Sequence, residues 1–235
     1  MNIHIKSFVI PELQARESEY INDSAKSDFR SLINSIASNF INIDGFAYLT
    51  ARQNAIDVDY FHKSNFLAAF ERVAGINVRQ IFEDEKLKTV IDAHVKENVN
   101  LIKSIPKEYF QRVQNVVLEG ISDGLSSGTI AKQLLTQGKD AKNVGVLGIT
   151  QRRAKIIARD QTAKLNGQVN SKRQQNLGIT DYKWRTSKDN RVRHAHRELE
   201  GSQFSWKDPS KRPPDGLDPG QPILCRCVAE AVVIF

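Results

Sequence analysis

Two cysteines near the C-terminal end carry the strongest chemical signal in this 235-residue chain. Cys225 and Cys227 stand at i and i+2 in the triplet CRC. In an extended segment this spacing sends both sulfurs to one face, which is poor for a mutual disulfide and well suited to gripping one soft metal ion. Further donors must come from elsewhere, and His196, His194 and Asp189 are the candidates. An HxH plus CxC set can complete a tetrahedral zinc site, although the gap of roughly 30 residues between the pairs is not a finger spacing. A buried pair of structural thiols explains the same residues without metal, since cysteine is among the most buried residue types. A redox role is the third reading.

His196 has a second chemistry open to it. With Asp189 and the nearby Arg191 and Arg193 it can form a general acid–base pair beside an anion-binding cluster, as a metal- or His-dependent nuclease or toxin-like enzyme needs. The plainer alternative has His196 bonded to a loop carbonyl, holding the proline-rich segment in place. Asp189-Asn190 also suits a turn between a strand and the RVRHAHREL segment. His4, His62 and His94 have no partner at a telling spacing and read as solvent or core histidines. Trp184 and Trp206 can stack nucleobases, but Trp184 alternates with Tyr182 as a core strand residue does. The chain has no phosphate loop, dinucleotide fingerprint, HExxH or GxSxG.

The net charge of +7 is unevenly spread. Residues 1–149 have a balance of −1, residues 150–212 a balance of +10, and the remainder −2. A segment this basic can neutralise phosphates and release counterions, or it can be a solvated helix face. The candidates for nucleic-acid contact are Arg152, Arg153, Lys155, Lys164, Lys172 and Arg173. No sequence-reading module accompanies them, so contact with double-stranded DNA would be non-specific and to the backbone.

The elements that must position these residues divide the chain in two. Over 27–119 apolar residues recur at helical spacing, in stripes such as Phe29, Leu32, Ile33, Ile36, Phe40 and Phe66, Ala69, Phe70, Val73. Val90, His94 and Val95 precede Pro106, and Tyr109, Phe110, Val113, Val116 and Val117 resume the pattern. Gly45, Gly75 and Pro106 read as turns, and 1–25 as a flexible arm. Ser126 or Ser127 can cap a short helix that Gly138 ends. Thr150 caps a longer one through about 176, with Ala154, Ile157, Ala158, Leu165 and Val169 inward and Gly178 as its stop. YKWRTS alternates as a strand with Tyr182, Trp184 and Thr186 on one face, a proline-rich loop covers 208–222, and CRCVAEAVVIF is rich in strand formers. The expected fold is α+β: a mainly helical region over 1–149, then a small α+β domain with short antiparallel strands over 150–235. No apolar run is long enough to span a membrane, no secretory signal precedes the chain, and two cysteines suit a reducing compartment.

An ordered set of features emerges from this reading. ARDQT with Asn166 (Ala158, Arg159, Asp160, Gln161, Thr162) comes first; then Leu177, Gly178, Ile179, Tyr182, Trp184, Asp189, Arg193, His196, Leu199 and Gly201; then a proline-glycine loop; then Cys225, Arg226, Cys227 and a short apolar end. The series resembles the phage Mu F-like head morphogenesis family, the minor head or minor capsid proteins of tailed phages. The resemblance is firm over about 150–235. His194 departs from it by falling at a variable position. It implies a protein present in few copies per head, working with the portal protein and the scaffold or major capsid protein. It also implies retention inside the capsid near the DNA after assembly in the host cytoplasm, and no established enzymatic activity. Within that reading His196, Cys225 and Cys227, with Asp189 and zinc as further candidates, are expected to lie within a few ångströms. They would tie the terminal strand to the loop after the Trp184 strand.

Overall fold

The computed structural model describes residues 5–17, 23–40, 43–75, 82, 87–135 and 146–233. Helices α1 (Ile10–Ala15), α2 (Asp23–Phe40), α3 (Asp44–Ala74), α4 (Lys88–Ser122), α5 (Ser127–Leu135) and α6 (Val146–Asn176) lead into strand β1 (Asp181–Arg185). Helix α7 (His194–Glu198), β2 (Gln203–Ser205) and β3 (Val228–Ala231) complete the order. The fold is α+β, as the patterning predicts. By compactness it forms two units, Met1–Ala47 with Val99–Ile157 and Tyr48–Asn98 with Ala158–Phe235. These units interleave along the chain, whereas the sequence-based division at 149/150 follows charge and periodicity.

The first unit has an apolar core built from helices. A π-helical turn at Ile5–Val9 runs into α1, and Ile5, Val9 and Leu13, four apart on one face, are fully buried. They pack with Phe29 and Ile33 of α2, Tyr109, Val113 and Val117 of α4, and Ile130 and Leu134 of α5. Each such aliphatic side chain contributes about 1.5–3 kcal/mol on leaving water. That burial corrects the expectation of a flexible arm over residues 5–15. Pro106 lies inside α4 rather than at a turn. It forfeits one hydrogen bond to the preceding turn, and the buried Tyr109, Phe110 and Val113 just beyond it hold the helix together.

Helix α5 begins as the sequence suggests. The Ser126 hydroxyl accepts from the Thr129 amide at 3.3 Å. The Glu17 carboxylate accepts from the Ser127 amide at 3.1 Å and from its hydroxyl at 2.7 Å. These bonds hold the Glu17 carboxyl below its ordinary pKa, with the Ser127 hydroxyl first among the causes. Gly138 falls outside the described residues. Thr150 is not a cap. Helix α6 already starts at Val146, and the buried Thr150 hydroxyl donates back to the Val146 carbonyl at 2.9 Å.

In the second unit, Ala51, Ala55, Val58 and His62 form the buried face of α3. Ala69 and Val73 of the expected stripe are exposed. Arg173 of α6 is buried, and its guanidinium donates to Asp59 Oδ1 at 2.7 Å and meets His62 Nδ1 at 2.8 Å. Gly178, at φ +77°, ends α6 as expected. A three-stranded antiparallel sheet in the order β2-β1-β3 follows, with Tyr182 opposite Phe204 and Ala231, and Trp184 opposite Ala229. The side-chain amides of Asn170 and Gln174 both donate to the Ala229 carbonyl at 2.8 Å, tying α6 to β3.

Candidate metal centre

Strand alternation sends Tyr182 and Trp184 inward, both with no exposed surface, and leaves Lys183 outside. Past β1 the chain turns at Lys188, which has φ +56°. Asp189 Oδ1 accepts from the Arg191 amide at 2.9 Å, the local bond that makes Asp a good turn residue. The single-turn helix α7 then presents His196 inward, edge-on to Trp184 with ring centroids 5.2 Å apart. Glu200 holds the strand exit by accepting from the Thr186 amide at 2.6 Å and its hydroxyl at 2.7 Å.

The proline-rich segment returns the chain to this place through specific polar bonds. Asp218 takes the Tyr182 hydroxyl at 2.7 Å and Arg212 at 2.6 Å. Burial, then the bond to Asp218, pushes the Tyr182 hydroxyl pKa well up. Gly220, at φ +90°, crosses α6 at Gly167 so closely that a Cβ on Gly167 would lie 2.6 Å from the Pro219 carbonyl oxygen. Leu224 has φ +55°, and its amide donates to Asp160 Oδ1 at 2.7 Å. Arg193 donates to the Ile223 carbonyl. The residues just before the cysteines are therefore held on both sides by members of the ordered series.

Cys225 and Cys227 lie just before β3 rather than within it, and their sulfurs still converge on one atom. His196 Nδ1 is 3.7 Å from the Cys225 sulfur and 3.5 Å from that of Cys227. All three side chains are buried, both thiols are free, and their donor atoms lie within 4.8 Å of one another. The Cys227 amide donates to the Cys225 sulfur at 3.4 Å. Cys225 is lowered to about 5 and Cys227 is pushed up. For Cys225 the leading cause is the bond from the Cys227 thiol, with amides of Gly220 and Cys227 and the adjacent His196 adding to it. For Cys227 it is the same shared bond, reinforced by burial. The buried indole nitrogen of Trp184 makes no hydrogen bond among the described residues.

Two expected ligands fall elsewhere. Asp189 pairs with both terminal nitrogens of Arg226, the residue between the cysteines, and that contact leads the causes that hold its carboxyl far below the carboxylate range. It thus holds the Arg226 side chain instead of joining the cluster as a donor. His194 is exposed and faces Glu198 at 3.4 Å. Among the described residues the bonds of the Asp189 carboxylate go to Arg191 and Arg226 and not to His196.

The basic candidates separate by environment. Arg152 and Lys155 are exposed. Arg153 pairs with Glu108 at 2.8 Å, Lys164 pairs with Asp160 at 3.0 Å, and Lys172 is half-buried. Arg173 is withdrawn from solvent altogether, so its expected nucleic-acid role is corrected to a buried tie to Asp59 and His62. Trp206 stacks on Tyr182 with centroids 4.0 Å apart and donates to Gln174, which removes both tryptophans from base stacking. Sequence reasoning missed Glu200 and Gly167. Glu200 is one acid in a charged run, and Gly167 sits in a helix with nothing local to mark it.

A family model described as "Phage Mu protein F like protein" matches residues 111–230, just over half the chain. The chain belongs to the phage Mu F-like family. The match contains the whole series from Ala158 to Cys227. An uncharacterized protein of Haemophilus influenzae is 37% identical over 138 residues, 59% of this chain and 28% of its own length. An uncharacterized protein of Methanocaldococcus jannaschii is 31% identical over 157 residues, 67% of this chain and 23% of its own. The chain thus spans about a quarter of the length of these curated relatives. No solved structure matches it significantly.

Proposed function

We propose that this chain is a non-enzymatic minor head protein of a tailed bacteriophage, acting in head morphogenesis at the portal vertex and retained inside the capsid near the DNA. The match to the phage Mu F-like family over 111–230 carries the reading, because that family suggests a part in phage head morphogenesis. The portal protein and the scaffold or major capsid protein are the proposed partners of the helical region 1–149. Among the described residues no helix is long and apolar enough to cross a membrane.

The test is peptide mass spectrometry of purified virions, empty heads and infected-cell lysate. A few copies per head are expected. Presence in lysate with absence from every particle would overturn the reading, and cleavage of plasmid or RNA by the purified chain would favour the nuclease instead. Deleting 150–235 should leave shells forming while infectivity falls. For DNA, Arg152 and Lys155 are the exposed helix cations proposed to touch phosphates. Changing both to Gln should reduce the log–log salt slope of DNA binding by about 2.

A further inference from the structure

We propose that His196, Cys225 and Cys227 hold one zinc ion, with the fourth coordination position facing solvent. Zinc bonds of about 2.3 Å to sulfur and about 2.0–2.1 Å to nitrogen at a tetrahedral angle require a sulfur–nitrogen separation of about 3.6 Å. The two observed separations are 3.7 and 3.5 Å. Both sulfurs thus already stand from His196 Nδ1 as a tetrahedral ion would place them. The convergence of two sulfurs at this separation on one buried imidazole nitrogen is the observation that carries the site.

The surroundings fit the ion as well. A Cys2His donor set is soft enough to select zinc over magnesium or calcium, which take oxygen ligands. Two thiolates balance the dication, and the thiol protons leave on binding. The Cys227 amide already donates to the Cys225 sulfur, as outer groups supporting a thiolate–metal bond do. The donors come from two places distant in sequence, the α7 turn and the segment before β3, so the ion would join them. Asp189 acts one step out, orienting Arg226 between the two ligands.

Among the described residues no fourth His, Cys, Asp or Glu atom joins the cluster. The three donors instead border a cavity of 330 Å³, also lined by Arg159, Arg191 and Arg193. A closed structural site has four protein ligands, and three ligands with an opening leave the last place to water. The arginines around that opening would favour an exchangeable anion over a second cation.

The experiment is titration of the full-length, reduced, chelator-treated chain with cobalt(II), followed by zinc. One equivalent of cobalt is expected to produce a thiolate-to-cobalt charge-transfer band and intense tetrahedral ligand-field bands, and one equivalent of zinc to abolish both. Azide added to the cobalt form, before zinc, should shift the ligand-field bands if the fourth place is open. Unshifted bands would overturn the open position. Absence of a charge-transfer band with both thiols reduced would overturn the site itself. Cys227→Ser should lose the stoichiometric band. If that variant fails to fold, Asp189→Asn keeps the question answerable, because it leaves all three donors and should still take up one equivalent. The readout is metal per chain, so it succeeds or fails separately from the head-assembly role.

Discussion

The helical core of the first unit and the sheet region of the second are ordered by different means. In the first, buried side chains such as Ile5, Leu13, Ile33, Val113 and Ile130 meet through non-directional apolar contact. In the second, the buried cluster among the described residues comprises Tyr182, Trp184, Phe204, Cys225, Cys227 and Ala229. Its loops are held instead by directional bonds such as Asp160 to Leu224, Asp189 to Arg226, Asp218 to Tyr182 and Glu200 to Thr186. Apolar contact accepts any side chain of suitable size and shape, whereas a hydrogen bond accepts only the right atom at the right distance. This difference explains why the recognisable series of residue identities lies in the second region and only a periodicity is visible in the first.

The largest expected effect sharpens that contrast. Trp184→Ala removes the largest fully buried side chain of the sheet region and should cost about 3–5 kcal/mol in chemical denaturation. A loss near 1 kcal/mol would mean the polar bonds alone hold the region. Next is a pH effect at the buried polar contacts of the second unit. Burial, then the Arg173 charge, depresses the His62 pKa from 6.5 to about 4. The unfolded chain therefore binds the proton first as pH falls. His62 contributes fully above its unfolded value, and about 3 kcal/mol is lost between pH 6.5 and about 4. His62→Asn, which keeps an acceptor for Arg173, should flatten the stability profile over that window, and an unchanged slope would assign the loss to other groups.

Tyr182→Phe is expected to cost about 2 kcal/mol by stripping the buried Asp218 of one donor while Arg212 remains. Equal stability by thermal unfolding would break the claim that directional bonds dominate this region. A pair of identical changes follows in size. Gly167→Ala forces a Cβ against the Pro219 carbonyl and should destabilise by about 1–2 kcal/mol. Gly128→Ala, with open space around it in α5, should stabilise by about 0.5 kcal/mol. Smallest in cost is Ile33→Val in the helical core, at about 1 kcal/mol, because its neighbours can close over a lost methyl.

Much of this was legible beforehand. The stripe through Phe29, Ile33 and Ile36 is buried, the Tyr182–Trp184 alternation forms β1, and Ser126 and Gly178 bound their helices as their types suggest. The convergence of His196 on Cys225 and Cys227 was also an expectation of the sequence, and the structure brings them together. What misled was local punctuation. Pro106 and Thr150 read as boundaries, yet both lie inside helices whose flanking apolar residues are buried. Ile5, Val9 and Leu13 were too few to announce a helix alone, and only the core they enter makes them one.

The sequence by itself determined the fold class, the family and the identity of the chemical donors, because period, turn chemistry and an ordered set of residue types are properties of neighbours along the chain. Only the tertiary structure decided which donors meet. Asp189 was as plausible a ligand as His196 until Arg226 took its carboxylate, and Arg173 as plausible a DNA contact as Arg152 until Asp59 and His62 buried it. Those choices depend on partners 37, 114 and 111 positions away. Pairing over such distances is set by how the whole chain packs, which no local pattern encodes.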